Sequence, residues 1–227
     1  MRRRKPKFKR RVKLILILVL VFMVGGKAGE SIGAKAYDIY HLLTWKQSEE
    51  WELILVNDKH PLPERYTVNL VEAEPGKYVD ERIYEYLNEM FVAAREDGIY
   101  PVIRDAYRSN DEQKRIMKNK VESYKNEGYP EFLARRSAKD WVAEPGKSEH
   151  QLGLAVDINA DKTLCTNENV YAWLAENAHQ YGFILRYPKD KEDITNTAYE
   201  PWHYRFVGTE AASKMYEKNL CLEEYVE

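Results

Sequence analysis

The segment SEHQLGLAVDI, Ser148 to Ile158, sets a histidine and an aspartate inside an apolar run. EPWHYRF, Glu200 to Phe206, sets a glutamate and a second histidine in another. Imidazole nitrogens and carboxylate oxygens are metal donors, and a carboxylate can also take up a proton. Alternation along GLAVDI puts Leu154, Val156 and Ile158 on one face of a strand and Ala155 and Asp157 on the other. Alternation along PWHYRFV puts Trp202, Tyr204 and Phe206 together, with His203 and Arg205 opposite. Each strand thus has an apolar face for a core and a polar face carrying a metal-type side chain. If the two strands are neighbours, Asp157 and His203 converge, and Gly153 lets the chain turn so that His150 reaches them. Two nitrogens and one oxygen are the protein ligand count of a catalytic zinc with an open fourth position, and imidazole favours zinc over magnesium or calcium. Glu200 precedes a proline, so its backbone is extended. A carboxylate there can take the proton of a water whose pKa zinc lowers to about 7, which is the chemistry of amide hydrolysis.

Taken singly, a histidine on a strand is more often a core or surface residue than a ligand. The spacing from His150 to Asp157 is not diagnostic in the way a helical HExxH is. The remaining histidines read as non-ligands: His41 in a stalk, His60 in a proline-flanked turn, His179 late in an amphipathic helix.

The elements that must position these groups are legible in outline. Ile83, Leu87, Met90, Phe91 and Ala94 have helical spacing within Val79 to Gly98. YPVIRDAYRS, Tyr100 to Ser109, reads as a strand, and Ser109 with Glu112 has the spacing of a capping box opening a helix to about Gly128. A third helix covers Glu131 to Trp141, and a fourth Asn169 to Tyr181, ending at Gly182. FILRYP is a strand stopped by Pro188, KDKEDITNTAY is a polar loop, and Thr209 can cap a last helix to about Cys221. The order, helices first and then strands mixed with helices, predicts an α+β fold. Its small antiparallel sheet packs with helices, carries the zinc site, and follows an N-terminal hydrophobic segment.

The 227 residues are enough to bury one sizeable core. The net charge of −2 hides an asymmetry. Residues 1–13 hold nine of the 35 Lys and Arg and no acid, leaving 26 bases against 37 acids in the remainder. An acidic body argues against a nucleic-acid partner. The apolar run Leu14 to Gly26 is shorter than the roughly 20 residues of a spanning helix. With its basic flank it reads either as a cleaved signal peptide or as a retained membrane anchor, and both export the body. The expected organisation is residues 1–28 as basic region plus signal or anchor, 29–47 as a stalk, and 48–227 as the catalytic domain. The two cysteines, Cys165 and Cys221, form no disulfide framework; they could pair or remain thiols.

Taken together, LILVNDKHPLP, DAYRSNDEQ, SEHQLGLAVDI, GFILRYP and EPWHYRFVG resemble the VanY-type D-alanyl-D-alanine carboxypeptidases, a group of zinc peptidases that includes L,D-carboxypeptidases of the cell wall. The likeness runs over nearly all of residues 48–227. It implies Zn2+ held by His150, Asp157 and His203, Glu200 as catalytic base, Arg108 holding the substrate and assisting catalysis, and Gln113 and Ser148 lining its pocket. It implies peptidoglycan stem peptides ending in D-alanine as partners, at the outer face of the membrane. The competing expectations are an L,D-carboxypeptidase cutting tetrapeptide stems and a wall-binding module without catalysis; oligomeric state is not readable. Physically, a guanidinium is a rigid fork matched to a carboxylate, which suits Arg108 to a free C-terminus, although an isolated Arg at a strand end is commonly only a surface ion pair. Arg186 and Tyr187 are further candidates for the substrate groove.

Overall fold

Val79 and Asp80 show how local patterning and strand pairing compete in this chain. They carry the first residues of a helical pattern, yet they close a strand. The computed structural model describes residues 51–64 and 66–226. The predicted signal or anchor and the stalk lie outside the described residues. The body forms one compact unit, Glu52–Glu227. It opens with an antiparallel hairpin, β1 (Leu70–Glu74) and β2 (Lys77–Asp80), turning at Pro75 and Gly76. This hairpin was not anticipated, because β1 is half exposed and too short to show a clear period. The first helix, α1 (Tyr84–Glu96), therefore starts later than Val79, behind a single 3-10 turn over Glu81–Ile83 whose first free amide, that of Arg82, is capped by Asp80. Ile83, Leu87, Met90, Phe91 and Ala94 are buried, as their spacing predicts.

The main sheet has four antiparallel strands in the order β3–β4–β6–β5. These are β3 (Pro101–Asp105), β4 (Ala155–Ala160), β5 (Phe183–Leu185) and β6 (His203–Phe206). The predicted strand over Tyr100 to Ser109 leaves the sheet after Asp105. There the Tyr107 amide donates to the Tyr78 carbonyl at 2.8 Å and the Arg108 amide to the His150 carbonyl at 3.2 Å. The chain then enters α2 (Asn110–Asn126) through the expected capping box of Ser109 and Glu112. Its partner α3 (Glu131–Lys139) stops two residues short of Trp141, and the pair close on Val121, Ala134 and Ala138.

α4 (Asn167–Asn177) begins two residues before the predicted start, because Thr166 and Asn169 form a reciprocal cap, and its last turn continues as a 3-10 segment to Tyr181. The expected polar loop holds a short helix, α5 (Glu192–Thr195). Thr209 does not cap α6 (Thr209–Lys218): it is the first helical residue, and Gly208 stands at the cap position. A final short helix, α7 (Leu222–Val226), follows. Both cysteines are free thiols. Among the described residues no helix is long and apolar enough to cross a membrane.

Candidate metal centre

Strand register brings the two sequence motifs together. Asp157 of β4 lies directly opposite His203 of β6, with Ala155 opposite Arg205. The third member, His150, sits on a 3-10 turn, Glu149–Leu152, that ends in left-handed Gly153 at φ +75°. Gly153 is closely enclosed: a Cβ there would stand 3.0 Å from the Asp80 amide nitrogen and 3.1 Å from a Val68 methyl. Its carbonyl accepts from that same Asp80 amide at 3.0 Å. The unanticipated hairpin β1–β2 therefore braces the His150 turn through Asp80 and the approach to Arg108 through Tyr78.

One donor atom from each of His150, Asp157 and His203 lies within 4.8 Å of the others, and all three residues are buried. His150 Nδ1 donates to the Ala106 carbonyl at 2.7 Å, which turns Nε2 towards Asp157 Oδ1, 3.5 Å away. The His203 Nδ1 is 2.9 Å from the same Oδ1. Asp157 Oδ2 accepts from Arg108 Nη2 at 3.3 Å. Two imidazoles and a carboxylate, two of the three on the central strands β4 and β6 and one on the adjoining turn, with separately held outer partners, could hold a metal ion, and the donor set suits zinc. Burial opposes a charged Asp157, but His150 and His203 outweigh it and keep the carboxyl well below its usual range. Burial also opposes a charged His203, yet Asp157 and Glu149 carry it up to about 9. Burial, with Arg108 adding to it, holds His150 below its ordinary value.

Glu200 closes the group from the β6 side. Its Oε2 is 3.9 Å from His203 Nδ1, and the His203 amide donates to its carbonyl at 3.1 Å. Burial pushes the Glu200 carboxyl up to about 7, with His203 and Arg108 pulling down and Asp157 pushing up. That is the range of a proton acceptor near neutrality. Arg108 reaches in from the opposite side, donating also to Asp105 Oδ2 at 3.0 Å and to Gln113 Oε1 at 3.3 Å. Gln113 is fully buried and fixed by the Ala143 carbonyl at 2.7 Å. His150, Asp157, His203, Glu200, Arg108 and Ser148 line one cleft of about 600 Å3, and Gln113 stands behind it holding Arg108.

Arg186 was expected in the groove and is not there. It is fully buried, gripping Glu149 at 2.8 Å through Nε and Glu223 at 2.9 and 2.6 Å through its two Nη atoms. Tyr187 does line the cleft, its ring 5.0 Å from that of His203. Sequence reasoning passed over Glu149. Its one signal was a charge next to His150, inside a run that is otherwise built for a core. Arg205 shares the polar face of β6 as expected, but that face is covered: Arg205 donates to the carbonyls of Glu52 and Ile54 at 2.8 and 3.1 Å.

Residues 76–209 match the family described as VanY, D-alanyl-D-alanine carboxypeptidase. A D-alanyl-D-alanine carboxypeptidase of Enterococcus faecalis is 53% identical over 178 residues, covering 78% of this chain; the chain spans 66% of that relative's length. A crystal structure of the vancomycin-resistance D,D-pentapeptidase VanY from a VanB-type cassette, a mutant in complex with Zn(II), superposes with a TM-score of 0.77 at 52% identity, covering 78% of this chain and 99% of that one. VanYB in complex with D-alanine-D-alanine gives 0.76 at 53% identity, covering 78% and 97%. With the family's sequence, its fold and a zinc-type donor set all present, this chain belongs to the VanY family of D-alanyl-D-alanine carboxypeptidases.

Proposed function

We propose that this chain is a zinc-dependent carboxypeptidase that removes the C-terminal D-alanine from peptidoglycan stem peptides. The observation that carries the reading is the meeting of His150, Asp157 and His203 in the same cleft as Glu200 and Arg108. His150 through Nε2, Asp157 through a carboxylate oxygen and His203 through Nδ1 are the groups that would hold the metal. Zinc bound there would supply Lewis acidity, which lowers the pKa of a water to about 7 and polarises a carbonyl. Glu200, within reach of that site and carrying a carboxyl raised by burial, takes the proton of the attacking water and hands it to the departing amine of D-alanine. Arg108, steadied by Asp105 and Gln113, presents its fork to the substrate and opposes charge that develops on oxygen, and Ser148 lines the pocket beside it.

The test is mass analysis of products from defined pentapeptide and tetrapeptide stems, with and without chelator, for the wild type and Glu200→Gln. Release of D-alanine from the pentapeptide, abolished by chelator and by Glu200→Gln while zinc stays bound, is the expected result. Cleavage confined to the tetrapeptide would make the chain an L,D-carboxypeptidase. Binding without release would make it a wall-binding module.

The proposal extends to location. Nine basic residues followed by the apolar run Leu14 to Gly26 suit a segment that keeps the body at the outer face of the cell membrane. Recovery in the membrane fraction, with the body digested by protease added to intact protoplasts, is expected. A protease-protected cytoplasmic pool would overturn this part alone.

A further inference from the structure

Two hydrogen-bonding positions behind the candidate metal ligands are already filled. His150 Nδ1 is backed by the Ala106 carbonyl at 2.7 Å, and Asp157 Oδ2 by Arg108 at 3.3 Å. Gln113, which also grips Arg108, is backed by the Ala143 carbonyl at 2.7 Å. The position behind His203 differs. Its Nδ1 faces the ligand cluster, so Nε2 points into the protein, where it is buried without a hydrogen-bond partner. Facing it is Glu149 Oε2, also buried without a partner, at 3.9 Å. Two unsatisfied buried polar atoms aimed at one another need a reason, because each left alone costs free energy.

We propose that Glu149 is the positioning residue for His203. Its Oε2 accepts a hydrogen bond from Nε2–H and so reserves Nδ1 as the metal donor. The inference rests on the zinc reading above. A metal takes the lone pair of Nδ1, which leaves the ring proton on Nε2, and that proton is directed at Glu149 Oε2. Closing the gap to hydrogen-bond length takes a shift of about 1 Å. The carboxylate is fixed for this role by its other oxygen: Oε1 accepts from Arg186 Nε at 2.8 Å and lies 3.0 Å from Arg205 Nη1. Arg186 is in turn locked by both oxygens of Glu223, and Glu223 by Asn57 at 3.1 Å. A metal-bound histidine whose second nitrogen is held by a carboxylate is a recurrent arrangement, and losing such a partner typically costs roughly 10–100-fold in metal affinity.

Glu149→Gln tests the assignment. Its amide oxygen is drawn to the two arginines, so its NH2 group faces Nε2–H, donor against donor. Zinc affinity is measured by competition with a chromogenic chelator on protein shown folded by circular dichroism. The expected loss is roughly 10–100-fold. Nitrogen-15 NMR of the zinc-loaded wild type is expected to show the His203 proton on Nε2, with a downfield, exchange-protected resonance; this measurement stands even if the variant fails to fold. An unchanged zinc affinity in folded Glu149→Gln, or an Nε2 proton that exchanges freely in the wild type, overturns the proposal. If the wild type itself binds no zinc, the metal reading fails first, and this inference falls with it.

Discussion

At the scale of single residues, Arg108 is placed to couple a bound substrate to the candidate metal site. Its guanidinium already contacts Asp105, Gln113 and Asp157, so it bridges the cleft wall and a candidate metal ligand. A lysine keeps the charge but offers a single point of donation, and it cannot satisfy that fork. Arg108→Lys is therefore expected to lower kcat/KM by about 100-fold, the scale of losing one charge-stabilising donor. Zinc affinity should change far less, because Arg108 is not a ligand. Steady-state kinetics alongside chelator competition checks both halves; an equal fall in the two would mean that Arg108 acts mainly by holding Asp157. Glu200 is the opposite case. Its amide complement keeps the size of the side chain and removes the proton acceptor, so Glu200→Gln should lose nearly all turnover and keep its zinc, as metal analysis of the purified variant would show.

At the scale of elements, His150 depends on a turn that only glycine makes easily. Gly153 and Gly76 have similar positive φ, +75° and +71°, but differ in surroundings: the Asp80 backbone crowds the first, and open space surrounds the second. Alanine at either carries the backbone strain of about 1–3 kcal/mol. At Gly153 it also pushes against Asp80 and Val68, so Gly153→Ala should be the more destabilising in urea, and it alone should weaken zinc binding by tilting His150. What was legible in the sequence follows the same division. Short-range rules located the capping box at Ser109, the core face of α1 and the polar–apolar alternation of β4 and β6, because neighbours along the chain set these. The pairing of Asp157 with His203 was only conditional, since register between distant strands is not written in either strand alone. The hairpin β1–β2 was missed although Pro75 and Gly76 mark its turn, because its strands are half exposed and their role is to brace β4's approach, not to build the core. Arg186 departs from expectation for a related reason: β5 ends at Leu185, so Arg186 and Tyr187 lie in the bend beyond it, where strand alternation no longer sets direction, and only tertiary contact with Glu149 and Glu223 shows that Arg186 turns inward.

At the scale of the whole molecule, one buried polar chain ties the beginning of the described body to its end. Asn57 lies in the first loop, Glu223 in the last helix, and Arg186 and Glu149 between them behind the candidate metal ligands. An arrangement that needs all these segments in place makes local opening of α7 costly for the site as well. Breaking a buried ion pair typically costs about 3–5 kcal/mol because the remaining charge is stranded. Glu223→Gln keeps shape and one acceptor, so a loss near the lower end, about 3 kcal/mol, is expected at pH 7. The pH dependence follows from the same contact. Burial alone would raise the Glu223 carboxyl, but Arg186 and then Asn57 outweigh it and hold the group below its ordinary value. A carboxyl depressed in the folded state contributes stability that is fully present above the unfolded value, near 4.3, and is lost as pH falls through the lower folded value. Urea midpoints measured in steps from pH 7 to pH 3 should therefore fall below about pH 4 in the wild type. In Glu223→Gln they should start lower and decline less steeply, so that the two curves converge in acid. Parallel curves would mean that the Glu223 pair is not what couples acid stability to the folding of this site.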